Sequence, residues 1–273
     1  MLTVKSLCVT YRMGETKRAL EDVNFSMKRG EVLAIVGESG SGKSTLAQGL
    51  LRLFDFQRNV SVAGEIWFEG RQVFPDAQVD LKAYRGRSIG MVFQEPLLAL
   101  NPLFKVGDQV SETLRHHFKL SKKAAKERVR QLFSELELDP DRYYRAFPFE
   151  LSGGLRQRVM LAMAYVCQPQ LVIADEPTSS LDAILRHKTM SFMVQKCENE
   201  RSSLLLITHD MALAEQYANN IMVLYRGRLI EKGRTEQVLN NPQHWYTEKL
   251  ISISHFYKER FTEHLNLTDD LSE

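Results

Sequence analysis

The sequence predicts an α/β fold whose central strands are covered on both faces, preceded by a β-rich N-terminal part and interrupted by a helical insertion. Three observations carry this expectation. Leu171–Asp175 (LVIAD) and Ser203–Thr208 (SLLLIT) are continuous apolar runs without polar alternation, as strands buried on both faces require. The apolar run Glu31–Val36 ends abruptly in glycines, and a strand that runs into a glycine loop is where α/β proteins place nucleotides. From Val106 to Leu138 the text becomes helical and charged, with Ala125, Val129, Leu132, Phe133 and Leu136 along one face.

The remaining elements follow in chain order. Alternation and β-branched residues at Leu2–Thr10 and Val23–Lys28 predict strands ahead of Glu31–Val36. Thr45–Phe54 has helical spacing, Gly64–Gly70 reads as a strand between turn glycines, and Ser88–Gln94 is a further short strand. In the helical insertion Glu127, Glu135 and Glu137 interleave with the lysines and arginines, so its charge describes a solvated helix face rather than a nucleic-acid patch. Helical text from Ala183 to Cys197 separates the two buried strands, and Ile221–Gly233 reads as two strands around a turn at Arg226 and Gly227. The chain carries no internal repeat and no low-complexity linker.

Bulk properties bound the function. A chain of 273 residues, 44% hydrophobic, can bury a full core. Lys plus Arg (36) nearly balance Asp plus Glu (34), so no global charge draws it to nucleic acid. Cys8, Cys167 and Cys197 lie far apart and form no CxxC pair, which fits buried thiols in a reducing compartment. The N-terminus lacks the pattern of a signal peptide, and no apolar run approaches the roughly 18 to 20 residues that span a bilayer. A soluble protein is expected, held at any membrane by a partner.

The chemistry is concentrated in two stretches. GESGSGKST, Gly37 to Thr45, fits G-x-x-x-x-G-K-[ST] between a strand and a helix, the phosphate-binding P-loop context. Its glycines let backbone wrap phosphates, with N–H groups of Gly40, Gly42, Lys43 and Ser44 pointing inward; Glu38, Ser39, Ser41 and Thr45 complete the loop. Lys43 would neutralise charge and Ser44 would offer a hydroxyl to Mg²⁺. LVIADEP supplies Asp175 at a strand end as a second Mg²⁺ anchor, and Glu176 beside it points elsewhere, free to orient an attacking water.

With these stretches in place, the chain resembles the ATP-binding cassette (ABC) family over nearly its whole length. LSGGLRQR (Leu151–Arg158) looks like the family's signature loop, and its order with GESGSGKST and LVIADEPTSSLD is highly specific. The resemblance implies a P-loop NTPase cassette with a RecA-like core, an N-terminal antiparallel β subdomain and an inserted helical subdomain at about residues 96–168. It implies one ABC ATPase domain over residues 1–251 and a short tail over 252–273. By similarity, Gln94 in VFQEP senses Mg²⁺ and the transport domains, Ser180, Leu181 and Asp182 match the D-loop, and His209 in LLLITHD contacts the γ-phosphate. Tyr11 stands where the family places a ring on adenine. The expected catalytic set is Glu176, His209, Lys43 and Gln94, with Ser44, Gln94 and Asp175 on Mg²⁺. Ser152, Gly153 and Gly154 of the signature loop, whose own sequence carries no phosphate-gripping Lys, would close on ATP held by a second subunit.

Finer text narrows the family. Residues 95–151, between Gln94 and Ser152, leave room for a helical subdomain but not for the long insertions of repair ATPases. QEPLLALNPLFKVGDQVSETLRHH and NPQHWYTEKLI resemble ATPases of oligopeptide, dipeptide and nickel importers. Many peptide-importing members extend into a cysteine cluster, whereas the tail ISISHFYKERFTEHLNLTDDLSE has no cysteine, which leans toward nickel or metal chelates without excluding peptides. His116, His117 and His244 are expected to be surface residues, not nickel ligands. The implied partners are a second ATPase, favoured to be a paralogue in a heterodimer, two transmembrane permeases and an extracytoplasmic binding protein, at the cytoplasmic face of the membrane. The rival reading is a soluble cassette acting on nucleic acid or ribosomes.

Overall fold

The computed structural model describes residues 1–55, 57–76, 78–179, 181–200 and 202–254. Strands β1 (Leu2–Met13) and β2 (Glu15–Met27) form a long antiparallel pair, followed by β3 (Val32–Val36) and helix α1 (Lys43–Leu50). Next come β4 (Val60–Phe68), β5 (Arg71–Phe74), the short α2 (Leu81–Tyr84) and β6 (Ile89–Val92). Between β6 and β7 (Leu171–Asp175) the regular elements are all helical: α3 (Pro96–Ala99), α4 (Val106–His117), α5 (Lys122–Glu135), α6 (Pro140–Tyr143), a 3₁₀ turn at Pro148–Glu150 and α7 (Gly153–Tyr165). The chain continues through α8 (Ala183–Glu200), β8 (Ser203–Thr208), α9 (Met211–Tyr217), β9 (Asn220–Tyr225), β10 (Arg228–Arg234) and α10 (Thr235–Asn240). A last helix occupies residues 245–254.

Two sheets result. An antiparallel sheet has the order β2-β1-β4-β5, and a six-stranded sheet has the order β10-β9-β3-β8-β7-β6. In the second sheet β9, β3, β8, β7 and β6 are parallel, and β10 closes one edge as an antiparallel hairpin partner of β9. The apolar runs explain this core. In β3, Val32, Ala34 and Val36 enter one buried cluster while Leu33 and Ile35 enter the other. β7 divides in the same way, Val172 and Ala174 against Leu171 and Ile173, and so does β8, Leu204 and Leu206 against Leu205 and Ile207. Successive side chains point to opposite faces, so only a run apolar at every position fills both clusters. Each buried Leu or Ile contributes about 1.5–3 kcal/mol of transfer free energy.

The predicted face of α5 is buried as expected: Ala125, Val129, Leu132 and Phe133 pack inward and Leu136 caps the helix. Ser121 N-caps it, its hydroxyl accepting from the Ala124 N–H at 3.2 Å. Two features differ from the sequence reading. Strand β2 begins at Glu15, well before Val23, because its polar half pairs with the end of β1 through contacts such as Tyr11 to Lys17. Strand β5 is too short and polar to stand out, and exists by pairing with β4. Cys167 and Cys197 are buried thiols, whereas Cys8 is only half-buried, its sulfur accepting from the Asp22 N–H at 3.3 Å. No described helix is long and apolar enough to cross a membrane.

Candidate functional site

Parallel strands end on the same side of their sheet, so β3, β6, β7 and β8 deliver their following residues to one edge. There the loop after β3, Gln94 after β6, Glu176 after β7 and His209 after β8 line a single cleft of about 800 Å³ together with Tyr11. Residues from four distant parts of the sequence thus meet because the strands carrying them are parallel neighbours.

The loop Gly37–Ser44 is shaped by close backbone approach. A Cβ at Gly37 would stand 2.3 Å from the Leu224 carbonyl oxygen, and one at Gly42, whose φ is 108°, would stand 2.6 Å from the Ala19 carbonyl oxygen. Any side chain there would force the loop off β9 or β2. Helix α1 starts at Lys43 with no side-chain cap, so its first N–H groups face the cleft, a natural anion site. Glu38, Ser39, Gly40, Gly42, Lys43, Ser44 and Thr45 line the cleft, while Ser41 is buried within the loop. Lys43 is also buried, and its Nζ donates to the carbonyls of Gly37 (2.7 Å) and Glu38 (3.0 Å). Burial pushes the Lys43 ammonium below its ordinary value, and the negative charges of Glu176, Asp175 and Glu38 oppose that shift.

The two acidic neighbours at the end of β7 face different tasks, as their alternation predicts. Asp175 is buried, and its Oδ1 has no hydrogen-bond partner. Burial raises its carboxyl above the ordinary value; the Ser44 hydroxyl lowers it by a hydrogen bond, Glu176 raises it and Lys43 lowers it. A buried carboxylate oxygen without a partner is costly unless a cation compensates, and Ser44 stands beside it with a second oxygen. The pair therefore fits a hard divalent ion whose shell phosphate and water oxygens would complete. Glu176 turns the other way: its Oε1 lies 2.8 Å from His209 Nδ1. Its backbone φ of 49° lies in the left-handed region, a strained setting for a residue with a Cβ, and the Glu176 N–H is held by the Ile207 carbonyl at 2.9 Å. If Asp175 anchors the ion, Asp175→Asn should raise the Mg²⁺ concentration for half-maximal ATP hydrolysis by about tenfold or more. Unchanged Mg²⁺ dependence would remove Asp175 from that role.

Tyr11 sits at the rim of the cleft, edge-on to Phe54 at 5.8 Å between centroids, its hydroxyl 3.5 Å from Thr45 Oγ1. Gln94 is exposed at the cleft beyond the end of β6.

Ser152, Gly153 and Gly154 are not among the described residues that line this cleft. They form the start of α7 on an accessible surface, with Ser152 as N-cap accepting from the Leu155 N–H at 3.4 Å. The basic residues of LSGGLRQR are already engaged: Arg156 Nε donates to the Pro148 carbonyl at 2.9 Å, and Arg158 to the Glu137 carbonyl at 3.0 Å. Gln157, buried, donates to the Pro177 carbonyl at 2.6 Å and so ties α7 to the loop after β7. Gly154 lets α7 approach α8, since a Cβ there would lie 2.8 Å from Leu185 Cδ1. Asp182 caps α8, its carboxylate accepting from the Leu185 N–H at 3.0 Å, and does not line the cleft. Ser180 lies outside the described residues.

Sequence reasoning missed part of the lining. Lys17, Arg18, Ala19, Arg226 and Gly227 border the cleft from β2 and the β9–β10 turn, and Leu250 and Ile253 border it from the last helix. NPQHWYTEKLI stands out in the sequence as a pattern, but nothing in it indicates contact with a loop two hundred positions away.

The chain is similar to known proteins. A family model described as ABC transporter matches residues 20–179. The chain is 39% identical over 254 residues to the oligopeptide transport ATP-binding protein OppD of Bacillus subtilis (strain 168), covering 92% of this chain and 71% of that protein. It is also 39% identical over 237 residues to the probable D,D-dipeptide transport ATP-binding protein DdpD of Escherichia coli (strain K12), covering 86% of this chain and 72% of that one. Among solved structures, the dimeric post-hydrolysis state of the ATP-binding cassette MJ0796 bound to ADP and Pi matches with a TM-score of 0.77 at 29% identity, covering 86% of this chain and 99% of that chain.

Proposed function

Because the chain belongs to the ABC transporter family and is an ATP-hydrolysing cassette, we propose that it drives a binding-protein-dependent importer of di- or oligopeptides. The observation that carries this reading is likeness over 92% of the chain to a protein named for oligopeptide transport. A soluble cassette acting on nucleic acid finds no support in the names of the relatives, nor in a formal net charge of +2. Nickel or metal chelates form the second reading, since QEPLLALNPLFKVGDQVSETLRHH and NPQHWYTEKLI resemble nickel importers as well as peptide importers; residues 255–273 lie outside the described residues. On this proposal the ATPase domain spans residues 1–251, with its helical subdomain at about 96–168. The partners are two permeases, a binding protein and a second ATPase, a paralogue of this chain, at the cytoplasmic membrane face. Phe93, Leu97, Leu103 and Phe104, close to Gln94 in sequence, are each exposed, and the permease contact is assigned to this segment.

In the proposed mechanism the loop N–H groups and Lys43 bind the β- and γ-phosphates of ATP, Lys43 exchanging its two carbonyl partners for phosphate oxygens. Tyr11 stacks on the adenine. Ser44, Asp175 and Gln94 hold Mg²⁺, which when bound neutralises charge on the transferring phosphoryl group. Glu176 orients the water for in-line attack and accepts its proton, and His209, hydrogen-bonded to Glu176, sets the direction of that carboxylate and stabilises the γ-phosphate.

Uptake decides between the readings. A strain lacking this chain should lose import of labelled tripeptides and recover it with the intact gene. Loss of ⁶³Ni uptake with peptide import intact would overturn the peptide assignment. The chain should sediment with membranes only when its permeases are co-expressed, and retention on nucleic acid that falls steeply with salt would overturn the importer reading altogether.

A further inference from the structure

The loop after β3 is held from behind by the end of the chain. The backbone N–H of Glu38 donates to the Tyr246 hydroxyl at 2.8 Å, a bond that spans 208 positions. Tyr246 is 1% exposed, its ring lying 4.2 Å from that of Tyr225 at the end of β9. On the same helical face, Lys249 Nζ lies 3.3 Å from Glu38 Oε1, and Leu250 and Ile253 line the cleft. Positions 246, 249, 250 and 253 are spaced to share one side of a helix, and that side is turned to the loop.

The peptide unit between Gly37 and Glu38 has two holds. Its carbonyl, that of Gly37, accepts from Lys43 at 2.7 Å, and its N–H, that of Glu38, is taken by Tyr246. When Lys43 turns to phosphate the first hold is lost and the second remains. Without that second hold, this peptide unit would have to be ordered at the moment of binding, at a cost in conformational entropy.

We propose that Tyr246 is a positioning residue of the ATP site: its hydroxyl pins the Glu38 amide, keeping it out of the phosphate cradle and fixing the entry of the loop so that the following N–H groups converge on phosphate. This rests on the assignment of the Gly37–Thr45 loop to the phosphates of ATP. Tyr246 touches no reacting atom and acts through the loop alone.

The test uses the full chain and titrates Mg²⁺–ATP by calorimetry well below the unfolding midpoint of each variant. Tyr246→Phe keeps the ring and removes the hydroxyl. It should raise the Kd for ATP about three- to tenfold, the scale of one hydrogen bond. Thr247→Val, a buried neighbour whose hydroxyl has no hydrogen-bond partner, serves as control and should bind as the wild type. Wild-type affinity in Tyr246→Phe, even with a lowered melting temperature, would overturn the proposal, because a purely structural hydroxyl changes stability and not the affinity of the folded protein. An equal loss of affinity in both variants would overturn it too, by assigning the effect to the helix as a whole. Lys43→Ala separates the underlying assignment: if that variant binds ATP like the wild type, the loop is not the phosphate site and the failure lies there.

Discussion

Glu176→Gln is expected to bind ATP within about twofold of the wild type and to lose about 10²- to 10⁴-fold of its hydrolysis rate, the range for a positioned general base. The substitution isolates the charge. Gln has the size of Glu, tolerates the φ of 49° no better and no worse, and can still bond His209 across the 2.8 Å contact. What disappears is the group able to take a proton from water. Nucleotide titration together with single-turnover phosphate release checks both halves. Hydrolysis near the wild-type rate would move the base elsewhere, with His209, the other titratable group on that contact, the first place to look.

Gly154→Asp should produce the complementary defect. ATP binding to this chain's own loop should stay within about twofold, because the signature residues do not line that cleft among the described residues. On the shared-site proposal, hydrolysis by the assembled transporter should fall about a hundredfold or more, since a carboxylate would stand where an N–H cradle is needed against phosphate held by a second subunit. The structure refines the design of this experiment. A Cβ at position 154 already lies 2.8 Å from Leu185 Cδ1, the far end of a flexible side chain. Gly154→Ala therefore reports the steric part alone, and the excess defect of the Asp variant reports the charge. Normal transport by the Asp variant would end the reading of LSGGLRQR as half of a shared site. The same reading expects the chain alone to hydrolyse ATP poorly, with the missing cation supplied by Lys43's counterpart in the second subunit.

Local features made much of this protein legible. Strands β3, β7 and β8 were visible because burial on both faces demands apolar residues at every position, a pattern that survives without any knowledge of neighbours. The glycine loop was visible because a position where any Cβ would stand 2.3 Å from the Leu224 carbonyl oxygen, or where φ is 108°, admits little but glycine. Strand β5 and the polar half of β2 were not visible: their pairing partners, not their own composition, make them strands.

The sequence by itself determined the fold class, the glycine loop, the acidic pair and the family, since each is written in residues close together along the chain. Tertiary structure alone decided which of these residues share a cleft. It grouped Lys43, Gln94, Glu176 and His209, left Ser152–Gly154 on an outer surface, engaged Arg156 and Arg158 in anchoring α7, and brought Tyr246 to Glu38. The physical reason is the same in each case. Parallel strands gather their ends on one edge whatever the distance between them in sequence, and a hydrogen bond across 208 positions leaves no periodicity for the sequence to reveal.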